Sequence, residues 1–136
     1  MEKLIPTNQD DNNKRVLVVD DVKINLVIAK KLMRPHGLTV DCVTSGADAI
    51  HLIRDSDIHY DAIFMDYLMP RMDGVEAMRM IREQIETDYA RTIPIIALTA
   101  HTAIGRKEKL ISYGFQDFIA KPIDSARLDE VLCKIY

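Results

Sequence analysis

Short, continuously apolar runs alternate along the chain with longer segments in which apolar residues recur every three or four positions. A strand covered on both faces must be apolar throughout, whereas a helix needs only one apolar stripe, so the alternation predicts repeated strand–helix units around a parallel sheet. Five such pairs can be counted from Lys14 onward. The first strand is Val16, Leu17, Val18 and Val19, ending in Asp20 and Asp21. The helix after it carries Ile24, Val27, Ile28 and Leu32 as its expected core stripe and stops at Pro35, His36 and Gly37. Residues 38–43 alternate instead of running apolar, which suits a half-exposed edge strand. Ser45 is placed to cap the second helix, whose stripe is Ala49, Ile50 and Ile53.

The third strand, residues 62–65, runs straight into Asp66, and Pro70, Asp73 and Gly74 punctuate the loop that follows. Asp73 or a neighbour is expected to cap a third helix bearing Val75, Met78 and Ile81. The fourth strand spans residues 93–98, with Pro94 tolerable at its first residues, and ends at Thr99. A fourth helix, weakened by Gly105, runs to Gly114, and residues 117–120 form a fifth strand that ends at Lys121 and Pro122. Asp124 is the expected cap of a fifth helix carrying Leu128, Val131 and Leu132. Residues 6–13 hold nothing apolar, so residues 1–13 are expected to be a flexible leader or linker and residues 14–136 one domain.

Composition narrows the function classes. A chain of 136 residues has room for one core, and 48% hydrophobic with 29% charged residues excludes wholesale disorder. The net charge of -3, with scattered basic residues, gives no electrostatic footprint for nucleic acid. No run approaches the roughly 18 apolar residues of a membrane span, and Leu4 and Ile5 before Pro6 fall short of a signal peptide. Cys42 and Cys133 stand far apart without a CxxC motif, which points to free thiols and a reducing, cytoplasmic location. His36, His51 and His59 have no zinc-ligand spacing and are expected on surfaces or helix ends, and Met65, Met78 and Met80 fit packing roles.

The candidate chemistry lies at the strand ends. In open α/β sheets ligands bind outside the carboxyl ends of the strands, and here those ends carry Asp20 and Asp21, Asp66, Thr99 and Lys121. With the alternating strand at the edge, the order 2-1-3-4-5 brings all of them around one crevice, and right-handed crossovers permit that order. Converging carboxylates repel each other by about 4 kcal/mol per pair at 4 Å and an effective dielectric of 20, and something must offset that. A proton is one possibility; hard oxygen ligands beside a single lysine suit Mg²⁺, or Mn²⁺ in its place, with room left for phosphate oxygens. The group as a whole suits phosphoryl transfer, with Asp66 as nucleophile forming an acyl phosphate, Asp21 binding the metal directly and Asp20 through water. Lys121 would balance one phosphoryl oxygen and the Thr99 hydroxyl would donate to another.

Four segments, Val-Val-Asp20-Asp21-Val-Lys-Ile-Asn25, Phe-Met-Asp66-Tyr-Leu-Met-Pro70-Arg-Met-Asp73-Gly74, Ala-Leu-Thr99-Ala100 and Lys121-Pro122, together resemble the receiver domain of two-component response regulators, with its flavodoxin-like fold. The resemblance covers residues 14–136. It implies that a histidine kinase or histidine phosphotransfer protein donates a phosphoryl group from phosphohistidine to Asp66, with Mg²⁺ held by Asp21, Asp66 and the backbone carbonyl of Leu68. It implies a cis bond between Lys121 and Pro122, and a switch in which Phe118 turns inward as the Thr99 hydroxyl moves toward the phosphoryl group. The face formed by the fourth helix, fifth strand and fifth helix would then change its affinity for a downstream protein or an attached output domain. Leu68 and His101 fall at variable positions that influence acyl-phosphate lifetime. The isolated domain would be no enzyme beyond assisting its own phosphorylation and dephosphorylation. The segments around Thr99 and Lys121 look more like receivers fused to hybrid histidine kinases than like those of DNA-binding regulators.

Three other classes meet specific objections. Phosphatases of the haloacid-dehalogenase type also form an aspartyl phosphate but place a second Asp two residues after the nucleophile, where this chain has Leu68. A flavodoxin-like FMN carrier needs a Gly/Ser/Thr phosphate loop after the first strand, and Asp20-Asp21 would repel the phosphate. A Walker-type nucleotide site is excluded by the absence of a GxxxxGK stretch.

Overall fold

The computed structural model describes residues 14–100 and 106–135, so the expectations for residues 1–13, His101 and Gly105 lie outside the described residues. The elements are β1 (Lys14–Val19), α1 (Lys23–Met33) with a 3₁₀ turn at Arg34–His36, β2 (Leu38–Val43), α2 (Gly46–Asp55), β3 (Ala62–Asp66) and α3 (Gly74–Gln84). They continue with a short α4 (Asp88–Thr92), β4 (Ile95–Thr99), α5 (Arg106–Tyr113), β5 (Asp117–Ala120) and α6 (Ser125–Ile135). All strand pairs are parallel and the order is β2-β1-β3-β4-β5, the topology expected from the strand-end chemistry.

The apolar strands serve two cores because successive side chains point to opposite faces. Leu17, Val19, Ile63, Met65, Ile95 and Ala97 pack with α2, α3 and α5, through Ile50, Ile53, Met78, Ile81 and Leu110. Val16, Val18, Phe64, Ile96, Leu98 and Ile119 pack on the other side with α1 and α6, through Leu26, Ala29, Met33, Leu128 and Val131. Capping follows the sequence: Ser45 Oγ accepts from the Asp48 N–H at 3.1 Å, Asp73 Oδ1 from Glu76 at 2.9 Å, and Asp124 Oδ2 from Arg127 at 3.3 Å. Gly37, at φ 79°, supplies the left-handed residue that ends the 3₁₀ turn after α1.

Three details differ from expectation. The stripe predicted to face the core from α1 is the exposed one: Ile24 and Val27 are 60% exposed and Ile28 44%, while Leu32 is half-buried. Leu26, Ala29 and Met33 point inward instead. Both sets have helical spacing, and the small Ala29 lets the helix axis approach the sheet, so close packing selects the second face. Pro94 precedes β4 rather than lying within it, its carbonyl accepting from the Ile63 N–H at 2.9 Å. The helix α4 had no apolar period to announce it; Thr87 Oγ1 caps it through the Ala90 N–H at 3.1 Å.

Cys42 and Cys133 are free thiols, and His51 and His36 lie near Asp55 and Asp129 at 2.8 and 3.8 Å, with no zinc grouping among the described residues. None of the described helices is long and apolar enough to cross a membrane.

Candidate functional site

The parallel sheet delivers its site by construction. β1 ends immediately before Asp20, β3 ends on Asp66, β4 ends on Thr99 and β5 ends one residue before Lys121, so these four groups meet at one edge of the molecule. Asp20, Asp66 and Thr99 are buried, at 1%, 4% and 1% exposure, whereas Asp21 stands in solvent. One carboxylate oxygen from each of Asp20, Asp21 and Asp66 lies within 4.8 Å of the others. The Lys121 ammonium donates to Asp66 Oδ1 at 2.9 Å and to Asp20 Oδ2 at 3.2 Å. Asp20 is held from its other side, Oδ1 accepting the Val22 N–H at 2.9 Å, which fixes the turn leading into α1. The Lys121-Pro122 bond is cis, as the resemblance implied.

The electrostatics follow from the count of charges. Burial pushes the Asp66 carboxyl up to about 6, the Asp20 charge adds to the effect, and the bond from Lys121 offsets only part of it. Burial draws the Lys121 ammonium down, yet Asp66 and Asp20 together hold it above its ordinary value. The lysine therefore stays charged and cannot satisfy three carboxylates alone. A hard divalent cation fits that donor set: carboxylate oxygens only, two of the acids buried, one open to solvent, and negative charge in excess.

Asp66 is further fixed by a contact that the motif does not explain by itself. A Cβ on Gly74 would collide with the Asp66 carbonyl oxygen, and the Gly74 N–H donates to the Tyr67 carbonyl at 2.9 Å. Only glycine lets the start of α3 press against the backbone of the acidic residue. Between them, Arg71 takes a left-handed conformation at φ 70°, uncommon for a residue with a side chain. Leu68 is 56% exposed on the same loop. A small cavity of about 60 Å³ beside the acids is lined by Asp20, Asn25, Ile28, Leu98, Lys121 and Ile123, which brings the exposed face of α1 to the rim of the site.

Phe118 is half-buried on β5, opposite Ala97 in the register. Its surroundings contain residues that the strand-end pattern does not single out: Arg127 Nη2 donates to Asp117 Oδ1 and to the Phe118 carbonyl, both at 2.7 Å. Asp117 and Arg127 sit on separate elements with no motif joining them, so only the fold reveals the pair.

The comparisons with known proteins agree with this geometry. The family model for the response regulator receiver domain matches residues 16–133. The hybrid signal transduction histidine kinase L of Dictyostelium discoideum is 43% identical over 121 residues, covering 88% of this chain and 7% of that protein. The signal transduction histidine-protein kinase BarA of Shigella flexneri is 36% identical over 132 residues, covering 96% of this chain and 14% of that protein. The chain thus spans a small part of the curated relatives it matches. Among solved structures, the receiver domain of sensor histidine kinase PA1611 from Pseudomonas aeruginosa, with a magnesium ion coordinated in its active-site cleft, superposes with a TM-score of 0.77 at 34% identity, covering 90% of this chain and 96% of that one. The receiver domain of histidine kinase CKI1 from Arabidopsis thaliana, complexed with Mg²⁺ and BeF₃⁻, gives 0.74 at 32% identity, covering 93% of each chain. With its sheet order, its strand-end acids and a family match along nearly its whole length, the chain belongs to the response regulator receiver domains of two-component signalling.

Proposed function

We propose that Asp66 is the phosphoacceptor of a phosphorelay step, taking a phosphoryl group from a phosphohistidine on a histidine kinase or histidine phosphotransfer protein. The observation that carries this reading is the crowding of three carboxylates at the strand ends, two of them bonded by a single lysine, with Asp66 buried and its carboxyl raised to about 6. Such a group is a poor structural element and a good receptor for a cation and a phosphoryl group.

In this reading a carboxylate oxygen of Asp66 attacks phosphorus in line, and the P–N bond to the donor imidazole breaks as the O–P bond forms. Asp66 must be ionised to attack. Lys121, already charged and 2.9 Å from Asp66 Oδ1, stands ready to follow the charge onto a phosphoryl oxygen. Thr99, at the end of β4, supplies the hydroxyl for another oxygen. Asp21, Asp66 and the Leu68 carbonyl would hold Mg²⁺, or Mn²⁺ with the same oxygen preference, with Asp20 joined through water. When bound, the cation supplies the positive charge that lets an anionic donor approach an anionic site.

The exposed apolar face of α1 supports the partner assignment. A donor histidine reaches Asp66 only if its protein sits on the rim of the crevice, and Val22, Ile24, Val27 and Ile28 offer an uncharged surface there. The switch reading, in which Thr99 and Phe118 change the face of α5, β5 and α6, and the placement within a cytoplasmic hybrid histidine kinase rest on the family and on the relatives named above. Incubation with Mg²⁺ and acetyl phosphate, followed by intact-mass spectrometry, tests the central assignment. The wild type gains one phosphoryl group and Asp66→Asn gains none; undiminished labelling of the variant overturns it.

A further inference from the structure

Phe118 lacks the hydroxyl that could anchor a ring in one position, yet its ring is held. Arg127, in the first turn of α6, reaches across the open edge of β5 and places its guanidinium carbon 5.1 Å from the Phe118 ring centroid. That is within the range of a cation–π contact. The guanidinium is itself fixed independently of the ring: Nη2 donates to Asp117 Oδ1 and to the Phe118 carbonyl at 2.7 Å each, and Nη1 lies 3.5 Å from Glu130 Oε1. Burial pushes the Asp117 carboxyl up, but the Phe118 N–H, Lys134 and Arg127 together hold it below its ordinary value, so it remains an anionic anchor. The cation therefore stays in place whether or not the ring is against it.

The direction in which the ring could leave is set by the register. Phe118 lies opposite Ala97, and Thr99 follows two residues on along the same face of β4, opposite Ala120. Ala97 is the cross-strand neighbour of Phe118, and the guanidinium is tied to Asp117 and to the Phe118 carbonyl, two residues short of the level of Thr99, so a ring that turns toward Thr99 is expected to leave it.

We propose that Arg127 is a positioning residue for the phosphorylation switch, holding the Phe118 ring at the edge of the sheet so that its turn toward Thr99 requires loss of the cation–π contact. This rests on the phosphoacceptor reading of Asp66 and on the coupling of Thr99 to Phe118. Arg127 then stabilises the unphosphorylated arrangement, and any ligand that prefers the other arrangement binds against that bias.

Beryllofluoride with saturating Mg²⁺, a phosphoryl mimic for Asp66, is the probe. Arg127→Met keeps the aliphatic stem and removes the cation, while Lys134 still serves Asp117 at 3.3 Å. The substitution is expected to tighten beryllofluoride binding about two- to fivefold, the range set by a partly exposed cation–π contact. The same substitution in the Phe118→Leu background is expected to change binding by less than about half of that, since no ring remains to be released. A ¹³C-labelled Phe118 ring in the unliganded Arg127→Met protein should shift toward its beryllofluoride-bound position. Unchanged affinity in Arg127→Met, or an equal change in both backgrounds, overturns the latch while leaving Asp66 as the acceptor. Failure of the wild type to bind beryllofluoride at all overturns both.

Discussion

The two ends of the sheet hold similar numbers of charged groups and treat them in opposite ways. Toward the amino end, Arg15, the second residue of β1, donates through Nε and Nη2 at 3.0 and 3.2 Å to the carboxylate of Asp41, midway along the edge strand β2, and the Tyr60 hydroxyl donates to Asp41 at 2.7 Å. The Arg15 N–H donates to Asp61 at 2.8 Å, and the Tyr89 hydroxyl accepts the Tyr60 N–H at 2.7 Å. The bond from Arg15 holds the Asp41 carboxyl below its ordinary value against the effect of burial. At the carboxyl ends, three acids gather, one lysine bonds only Asp20 and Asp66, and Asp66 is driven up to about 6. One end is satisfied by the chain itself; the other is completed only by something that binds. A fold tolerates such an excess of charge where the excess is useful.

Changes at the two ends should therefore differ in sign as well as size. The largest effect is expected from Gly74→Ala, because the added methyl collides with backbone rather than with a flexible side chain. It should destabilise the protein by about 3 kcal/mol in urea unfolding and weaken Mg²⁺ binding together with stability. A loss below about 1 kcal/mol would show that α3 need not press on Asp66.

Removing one acid from each end comes next. Asp66→Asn should stabilise the metal-free protein by about 2 kcal/mol at pH 7.5, while Asp41→Asn should destabilise it by about 1 kcal/mol through loss of its charged bonds to Arg15. The pH dependence follows the direction of each shift. Asp66 is raised in the folded state, so its contribution is full below its unfolded value and is lost as pH rises through about 6. The advantage of Asp66→Asn should therefore vanish near pH 4 and level off above pH 7. Asp41 is lowered, so its contribution is present above its unfolded value and disappears only as pH falls through its lower folded value. Equal signs for the two variants in urea unfolding would remove the contrast between the ends.

The smallest effect is expected at Arg71, whose left-handed backbone suits asparagine better. Arg71→Asn should add about 0.5 kcal/mol of stability without moving the Asp66 titration.

The strand ends were legible because each buried strand is an apolar run that must stop at a polar residue, and a parallel sheet puts all such stops on one side. Asp20, Asp66, Thr99 and Lys121 could be grouped for that reason alone. The inward face of α1 could not be chosen, since the helix is apolar on two sides and only packing against the sheet decides between Ile24-Val27-Ile28 and Leu26-Ala29-Met33. What misled the core assignment is the exposed face proposed above as the docking surface. The short helix α4 depends on a local cap, and the contact of Arg127 with Phe118 depends on how α6 folds back over an edge strand, neither of which leaves a period in the sequence.

The contrast between the ends is tested most directly by ¹³C-detected NMR titration of the Asp66 and Asp41 carboxyl carbons, with and without Mg²⁺. Without the cation, Asp66 should titrate near 6 and Asp41 below 3.8; with it, the Asp66 midpoint should fall markedly while Asp41 stays where it is. An Asp66 that titrates at or below the ordinary value near 3.8, unmoved by Mg²⁺, would contradict the account of a charge excess built to be completed by a cation and a phosphoryl group.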